Sequence, residues 1–112
     1  MLSHEKLKVY DFTIEFYALT SLVVDSLPRG HGSVKDQLKR AATSIPLNIA
    51  EGAGKITPRD QSKYYAIARG SALECGAIYD LMKVLKVIGP KRYKRGKRLL
   101  VQIASMLSNM IK

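Results

Sequence analysis

Residues 41–55, AATSIPLNIAEGAGK, constrain the fold more than any other stretch of this chain. Leu38, Ala41, Ile45, Ile49 and Gly52 recur every three or four residues, which places them on one face of a helix. A second row, Arg40, Ser44, Asn48, Glu51 and Lys55, runs beside the first at the same spacing. An apolar row next to a polar one, with small residues on both sides, describes a helix packed closely over most of its circumference. Pro46 inside the row removes one backbone hydrogen bond and crowds the carbonyl four residues back, so a bend is expected near residues 42–46.

Such a helix needs a partner that is equally small. The segment 58–88 supplies one, rich in Ala, Gly and Ser over its first half. Tyr64, Ala68, Ser71, Cys75, Ile78, Met82 and Leu85 form its main stripe, and Ala66, Gly70, Leu73, Ala77, Val84 and Ile88 a neighbouring one. Faces made of small residues approach more closely than Leu-lined ones, because interaxial distance follows side-chain size. If these two helices make a hairpin about residues 56–58, residues at equal height have numbers summing to 114 or 115. Arg40 then meets Glu74, Ser44 meets Gly70 or Ser71, Asn48 meets Ala66 or Ile67, and Glu51 meets Tyr64. Buried polar groups need such partners, since an unsatisfied one costs about 1–3 kcal/mol. The polar row therefore reads as fold specification.

The remaining boundaries are marked by turn chemistry. Helix one is expected over 5–25, then SLPRGHGS (26–33) turns the chain, with Ser33 as N-cap and Asp36 completing a capping box for a helix over 34–53. That helix should end at Gly52 to Gly54 in a left-handed cap. Thr57, Pro58 and Asp60 restart the chain as N-cap, first helical residue and first-turn acid. Gly89 and Pro90 break it again before a helix over 91–111, with Leu99 or Leu100, Ile103, Met106 or Leu107, and Met110 turned inward. Four helices with three short connections, in one domain of 112 residues, predict an all-α, antiparallel up-down-up-down bundle.

Helix one carries two stripes that face nearly opposite ways. Leu7, Tyr10, Ile14 and Tyr17 form one, and Val9, Phe12, Phe16, Leu19 and Val23 the other. A small bundle buries one of these efficiently. The other is expected to meet a second subunit, with Val9, Phe12, Phe16, Leu19, Tyr10 and Tyr17 as candidate interface residues.

Charge narrows the function. Nineteen Lys and Arg against nine Asp and Glu give a net charge of +10, which favours an anionic partner such as nucleic acid. Six cations fall within residues 91–98: Lys91, Arg92, Lys94, Arg95, Lys97 and Arg98, with Tyr93 among them to stack on a base. Cations at a helix N-terminus oppose its dipole, so helix stability does not explain them. Lys35, Lys39, Arg59, Lys63 and Arg69 extend the supply. No base-reading motif is present, so RNA or DNA would be held by phosphate contacts.

Catalytic and metal readings fail on spacing. GAGKIT (52–57) invites a phosphate-loop reading, but the first required glycine falls at Ile49 and the magnesium-binding Ser/Thr position is Ile56. His4 and His31 have no second ligand at metal spacing, and Cys75 lies on a packed stripe as a small hydrophobe. Asn48 and Glu51 lack a histidine or second carboxylate to make an acid–base pair. No enzyme activity, cofactor or metal is expected. One cysteine forms no intrachain disulfide, no apolar run of about eighteen residues spans a membrane, and the start MLSHEKLKVYDF has no secretory core; a soluble, cytoplasmic protein is expected.

The run SIPLNIAEGAGK (44–55), followed by IARGSALE (67–74), resembles the four-helix-bundle family of proteins encoded in 23S rRNA intervening sequences. The resemblance extends from LKVYDF (7–12) to the last helix, and the accessory variability determinant of diversity-generating retroelements is similar. It marks Arg40, Ser44, Asn48, Glu51, Gly52, Gly70, Ser71 and Glu74 as a structural signature. It implies a homopentameric barrel and, through the retroelement relative, a reverse transcriptase as partner. Two functional classes stand: a non-catalytic oligomeric RNA or DNA binder, and a scaffold bundle whose basic surface meets an acidic protein.

Overall fold

Helical periodicity and Gly/Pro punctuation produce four helices and no strand. The computed structural model describes residues 1–112: a short 3-10 turn (Ser3–Lys6), then α1 (Lys8–Asp25), α2 (Gly32–Ala53), α3 (Pro58–Val84) and α4 (Pro90–Met110). Each helix packs on its two neighbours around a square, α2 on α3 most extensively, and the bundle measures 44 × 24 × 23 Å. Its antiparallel register follows from side-chain bonds at opposite ends of the α3–α4 pair: Arg69 to Ser108 and Lys97 to Asp80. No helix is long and apolar enough to cross a membrane.

The α2 stripe behaves as its spacing predicts. Leu38, Ala41, Ile45, Ile49 and Gly52 are all buried, and the helix continues through Pro46. On α3, Ala68, Cys75, Ile78 and Met82 are buried as predicted and Leu85 is exposed, while Ala72 takes the core place of Ser71 and Tyr65 that of Tyr64, which is half-buried. Gly52 decides this. A Cβ there would stand 2.8 Å from Tyr65 Cε1, so the missing side chain makes the room that the ring fills. Gly96 serves Tyr79 in the same way, since a Cβ at Gly96 would collide with the Tyr79 ring. The buried Tyr79 hydroxyl shares a 2.8 Å hydrogen bond with Thr20, joining α3 to α1 across the core. Burial pushes both the Tyr79 phenol and the Cys75 thiol up to about 12, keeping each neutral.

Helix one is divided as its two stripes imply. Val9, Phe16, Leu19 and Val23 are core residues, which removes Val9, Phe16 and Leu19 from any subunit interface. Phe12 and Tyr10 are half-buried, and Ile14 and Tyr17 remain 46% and 42% exposed. Most of the second α3 stripe lies outside the core: Leu73 and Val84 are exposed and Ile88 is half-buried, and Leu81 of α3 and Val101 of α4 are exposed as well.

Four helix ends differ from expectation. α1 begins at Lys8, not at residue 5, because residues 3–6 form the separate 3-10 turn. α2 begins at Gly32 with His31 as N-cap and no side-chain cap, so Ser33 and Asp36 form no capping box; Gly30, at φ +94°, makes the reversal one turn earlier. α2 ends at Gly54 in a right-handed conformation, φ −84°, not a left-handed one. α3 stops at Val84, four residues short of Ile88, in a Schellman closure: Val87 N–H donates to Met82 O and Lys86 N–H to Lys83 O. The left-handed residue there is Lys86, φ 59°, where glycine is usual. The Thr57 cap forms as read, with Asp60 N–H donating to Thr57 Oγ1 at 3.2 Å.

Candidate nucleic-acid interface

The antiparallel topology carries the α3–α4 connection and the start of α2 to the same end of the bundle as the end of α1. Lys91, Arg92, Lys94, Arg95 and Arg98 thus stand along the C-terminal half of α1. With Leu19 and Leu22 they line a groove of about 500 Å³. Leu19 is buried at its base, and Leu22 is 54% exposed. No carboxylate lines this groove.

The six cations of residues 91–98 are not equivalent. Arg95 bridges Glu15 of α1 at 3.0 Å, and Lys97 bridges Asp80 of α3 at 2.6 Å. Lys91, Arg92, Lys94 and Arg98 form no ion pair and are exposed. Tyr93 faces α3, where its hydroxyl donates to Asp80 Oδ1 at 2.7 Å. The Lys83 and Lys97 ammonium groups lie 4.7 and 5.5 Å from its ring centroid. The ring expected to stack on a base is therefore already engaged. The hydrogen bonds donated by Lys97 and Tyr93 hold the Asp80 carboxyl below its ordinary range, and donating to that carboxylate pushes Lys97 and Tyr93 upward.

Lys35 and Lys39 line a second groove of about 200 Å³ on the other flank of α1, with Tyr17, Thr20, Ser21 and Asp25. Both grooves lie at the same end of the molecule. Arg59 and Lys63 do not join them, because α3 begins at the opposite end; Lys63 stands 5.8 Å from the Tyr64 ring. Arg69 donates to Ser108 Oγ at 2.7 Å, tying α3 to the last turn of α4. Two cations absent from the sequence reading, Lys83 and Lys86, meet Tyr93 and Lys94 around a recess at the α3–α4 turn. The run KVLKVIGPKRYKR, read across its Gly-Pro break as one charge cluster, carries the signal for them.

The polar row of α2 is partly connected. Asn48 Nδ2 donates to the Ser44 carbonyl and to Ser44 Oγ, both at 2.9 Å, and Ser44 Oγ meets Ser71 Oγ at 2.8 Å. The Ser44–Ser71 pair has the expected register. Asn48 stays on its own helix, and Glu51 meets Lys55 at 4.0 Å and not Tyr64. Arg40 and Glu74 form no ion pair and both are exposed. Four residues before Ser44 and three after Ser71, the helices have rotated by about 40° and 60° out of the seam, which turns these long side chains to water. Gly70 is exposed beside the seam. No group of three or more His, Cys, Asp or Glu side chains is placed to hold a metal ion. The chemistry on offer is fixed positive charge beside exposed aliphatic surface.

Comparison with known proteins agrees with this architecture. Residues 5–109 match the family described as 23S rRNA-intervening sequence protein. A search of curated proteins gives no match. Among solved structures, a protein of unknown function from the S23 ribosomal protein family of Bacteroides thetaiotaomicron is similar, with a TM-score of 0.85 and 24% sequence identity. The likeness covers 93% of this chain and 98% of that one, and at this identity it speaks for the fold. With a family match from the 3-10 turn to the last turn of α4, on a four-helix bundle, the chain belongs to the 23S rRNA-intervening sequence protein family.

Proposed function

We propose that this protein is a non-catalytic, oligomeric binder of RNA or DNA that grips phosphates with one end of its bundle. The observation that carries the reading is the set of four exposed, unpaired cations on α4, Lys91, Arg92, Lys94 and Arg98, on a chain of net charge +10. Polyanions release counterions when such cations dock, so affinity should fall linearly with log salt. Replacing these four by Gln should flatten that slope by up to about 0.9 per lost contact on B-DNA. Replacing Arg59 and Lys63, at the other end, should leave it unchanged. An unaltered slope in the first variant would show a merely solvated surface and refute the reading.

Oligomerisation belongs to the same proposal. Leu73, Leu81, Val84 and Val101 offer an exposed apolar face on α3 and α4, and Ile14 and Tyr17 a smaller one on α1. The resemblance to the retroelement accessory determinant supports a ring of five and a reverse transcriptase as partner. A ring would repeat one heterologous interface and gather five basic ends on one assembly. Sedimentation at low micromolar concentration tests it, and a monomer there would remove the ring. Purified protein should neither cleave RNA nor hydrolyse nucleotides.

A further inference from the structure

The groove between α1 and α4 combines two features that phosphate contact alone does not use together. Its walls are cationic, and Leu22, 54% exposed, projects between them beside buried Leu19. A duplex presents phosphates outward and keeps its base faces stacked, so an apolar floor gains nothing from it. A single strand has bases that can be splayed away from their neighbours. The volume, about 500 Å³, lies within the range of roughly 300–1,000 Å³ typical of pockets for small organic ligands, enough for one splayed nucleotide.

We infer that this groove takes one unstacked base of a single-stranded nucleic acid, its face against Leu22 and its flanking phosphates on Arg92, Lys94 and Arg98. This rests on the phosphate-binding reading above and specifies the strand form it acts on. The alternative platform, Tyr93, is bonded to Asp80, has Lys83 and Lys97 near its ring, and lines a recess of about 290 Å³, so the aliphatic floor of the 500 Å³ groove is the roomier apolar surface among these cations. Arg95 is held by Glu15 at 3.0 Å, which fixes one wall of the groove. An aliphatic floor does not distinguish base edges, so the site is tolerant of sequence.

The test compares three probes of equal length: an oligouridine strand, an abasic phosphodiester strand and a duplex. The protein should bind oligouridine more tightly than the abasic strand at matched salt. Leu22→Ser should weaken oligouridine binding about five-fold through loss of apolar contact, leaving the salt slope and the affinities for abasic strand and duplex unchanged. Leu22→Met, which keeps the floor apolar, should retain oligouridine binding. Equal wild-type affinity for oligouridine and abasic strand overturns the inference while leaving the phosphate reading intact. Equal losses on both strands in Leu22→Ser, the mark of a folding defect or a charge effect, overturn it as well. Failure to bind any probe refutes both readings.

Discussion

The α2–α3 seam and the α1–α4 groove join antiparallel helices of the same bundle in opposite ways. At the first, buried Ala41, Ala42, Ala68 and Ala72 and the gap left by Gly52 bring the helices together, and the Ser44–Ser71 bond closes across them. At the second, long cationic side chains border an open channel above Leu19 and Leu22. Close approach maximises dispersion contact and leaves no room for a ligand. The cationic channel keeps room for one, with charges that water already solvates. One seam is therefore filled by the chain itself, and the other leaves an open cationic surface.

The sharpest way to break this contrast is to add a single methyl group to the closed seam. Gly52→Ala sets a Cβ 2.8 Å from the Tyr65 ring and 3.1 Å from the Gln61 carbonyl oxygen, and backbone cannot move aside cheaply. Overpacking costs about 1–3 kcal/mol, offset in part by the roughly 1 kcal/mol that Ala gains over Gly within a helix. A net loss of up to about 2 kcal/mol is expected in urea unfolding. Leu22→Ser, at the open groove, should stay within about 0.5 kcal/mol of the parent. Similar losses in the two variants would mean that the groove is as structural as the seam.

A smaller effect sharpens the polar part of the seam. Ser44→Ala removes the hydroxyl that meets both Asn48 and Ser71, so about 1 kcal/mol should be lost. Ser71→Ala leaves the Asn48–Ser44 bond in place and should cost less. If the order of the two is reversed in unfolding measurements, Ser44 is not the hub.

Much of the closed seam was legible because one strict period governs it. Leu38, Ala41, Ile45, Ile49 and Gly52 follow from spacing alone, and the hairpin register puts Ser44 opposite Gly70 or Ser71, of which Ser71 makes the bond. What spacing did not reveal was the choice between adjacent Tyr64 and Tyr65, which depends on the hole above Gly52 in another helix. The early end of α3 was hidden because Lys86 takes a conformation usually marked by glycine. On α4 the run of cations looked uniform because its two carboxylate partners, Glu15 and Asp80, come from other helices. The tie between Tyr93 and Asp80 was hidden for the same reason, since the carboxylate that accepts from its phenol lies on α3. Local chemistry was readable, while pairing across the bundle needed the fold.

The boundary between structural and available charge runs through the Asp80, Tyr93 and Lys97 cluster, and pH should move it. Asp80 has a carboxyl held below its ordinary value, chiefly by the Lys97 hydrogen bond. Its contribution to stability is present above the ordinary value and is lost as pH falls through the lower folded one. Lys97 is raised, first by its bond to Asp80, so its contribution is full below the ordinary lysine value and is lost as pH rises through the higher folded one. Tyr93 is raised by the same carboxylate, and its contribution is likewise lost on the alkaline side. The stability difference between parent and Asp80→Asn should thus hold level between about pH 5 and 9, then shrink below about pH 4 and above about pH 10. Because the Lys97–Asp80 pair is exposed, the plateau should be under about 1 kcal/mol. The same substitution releases Lys97 toward a polyanion, so the salt slope of binding should steepen by up to about 0.9. A plateau without that steepening would place Lys97 on the structural side of the boundary; a steeper slope would show that Asp80 is what separates a bundle-stabilising cation from a phosphate-binding one.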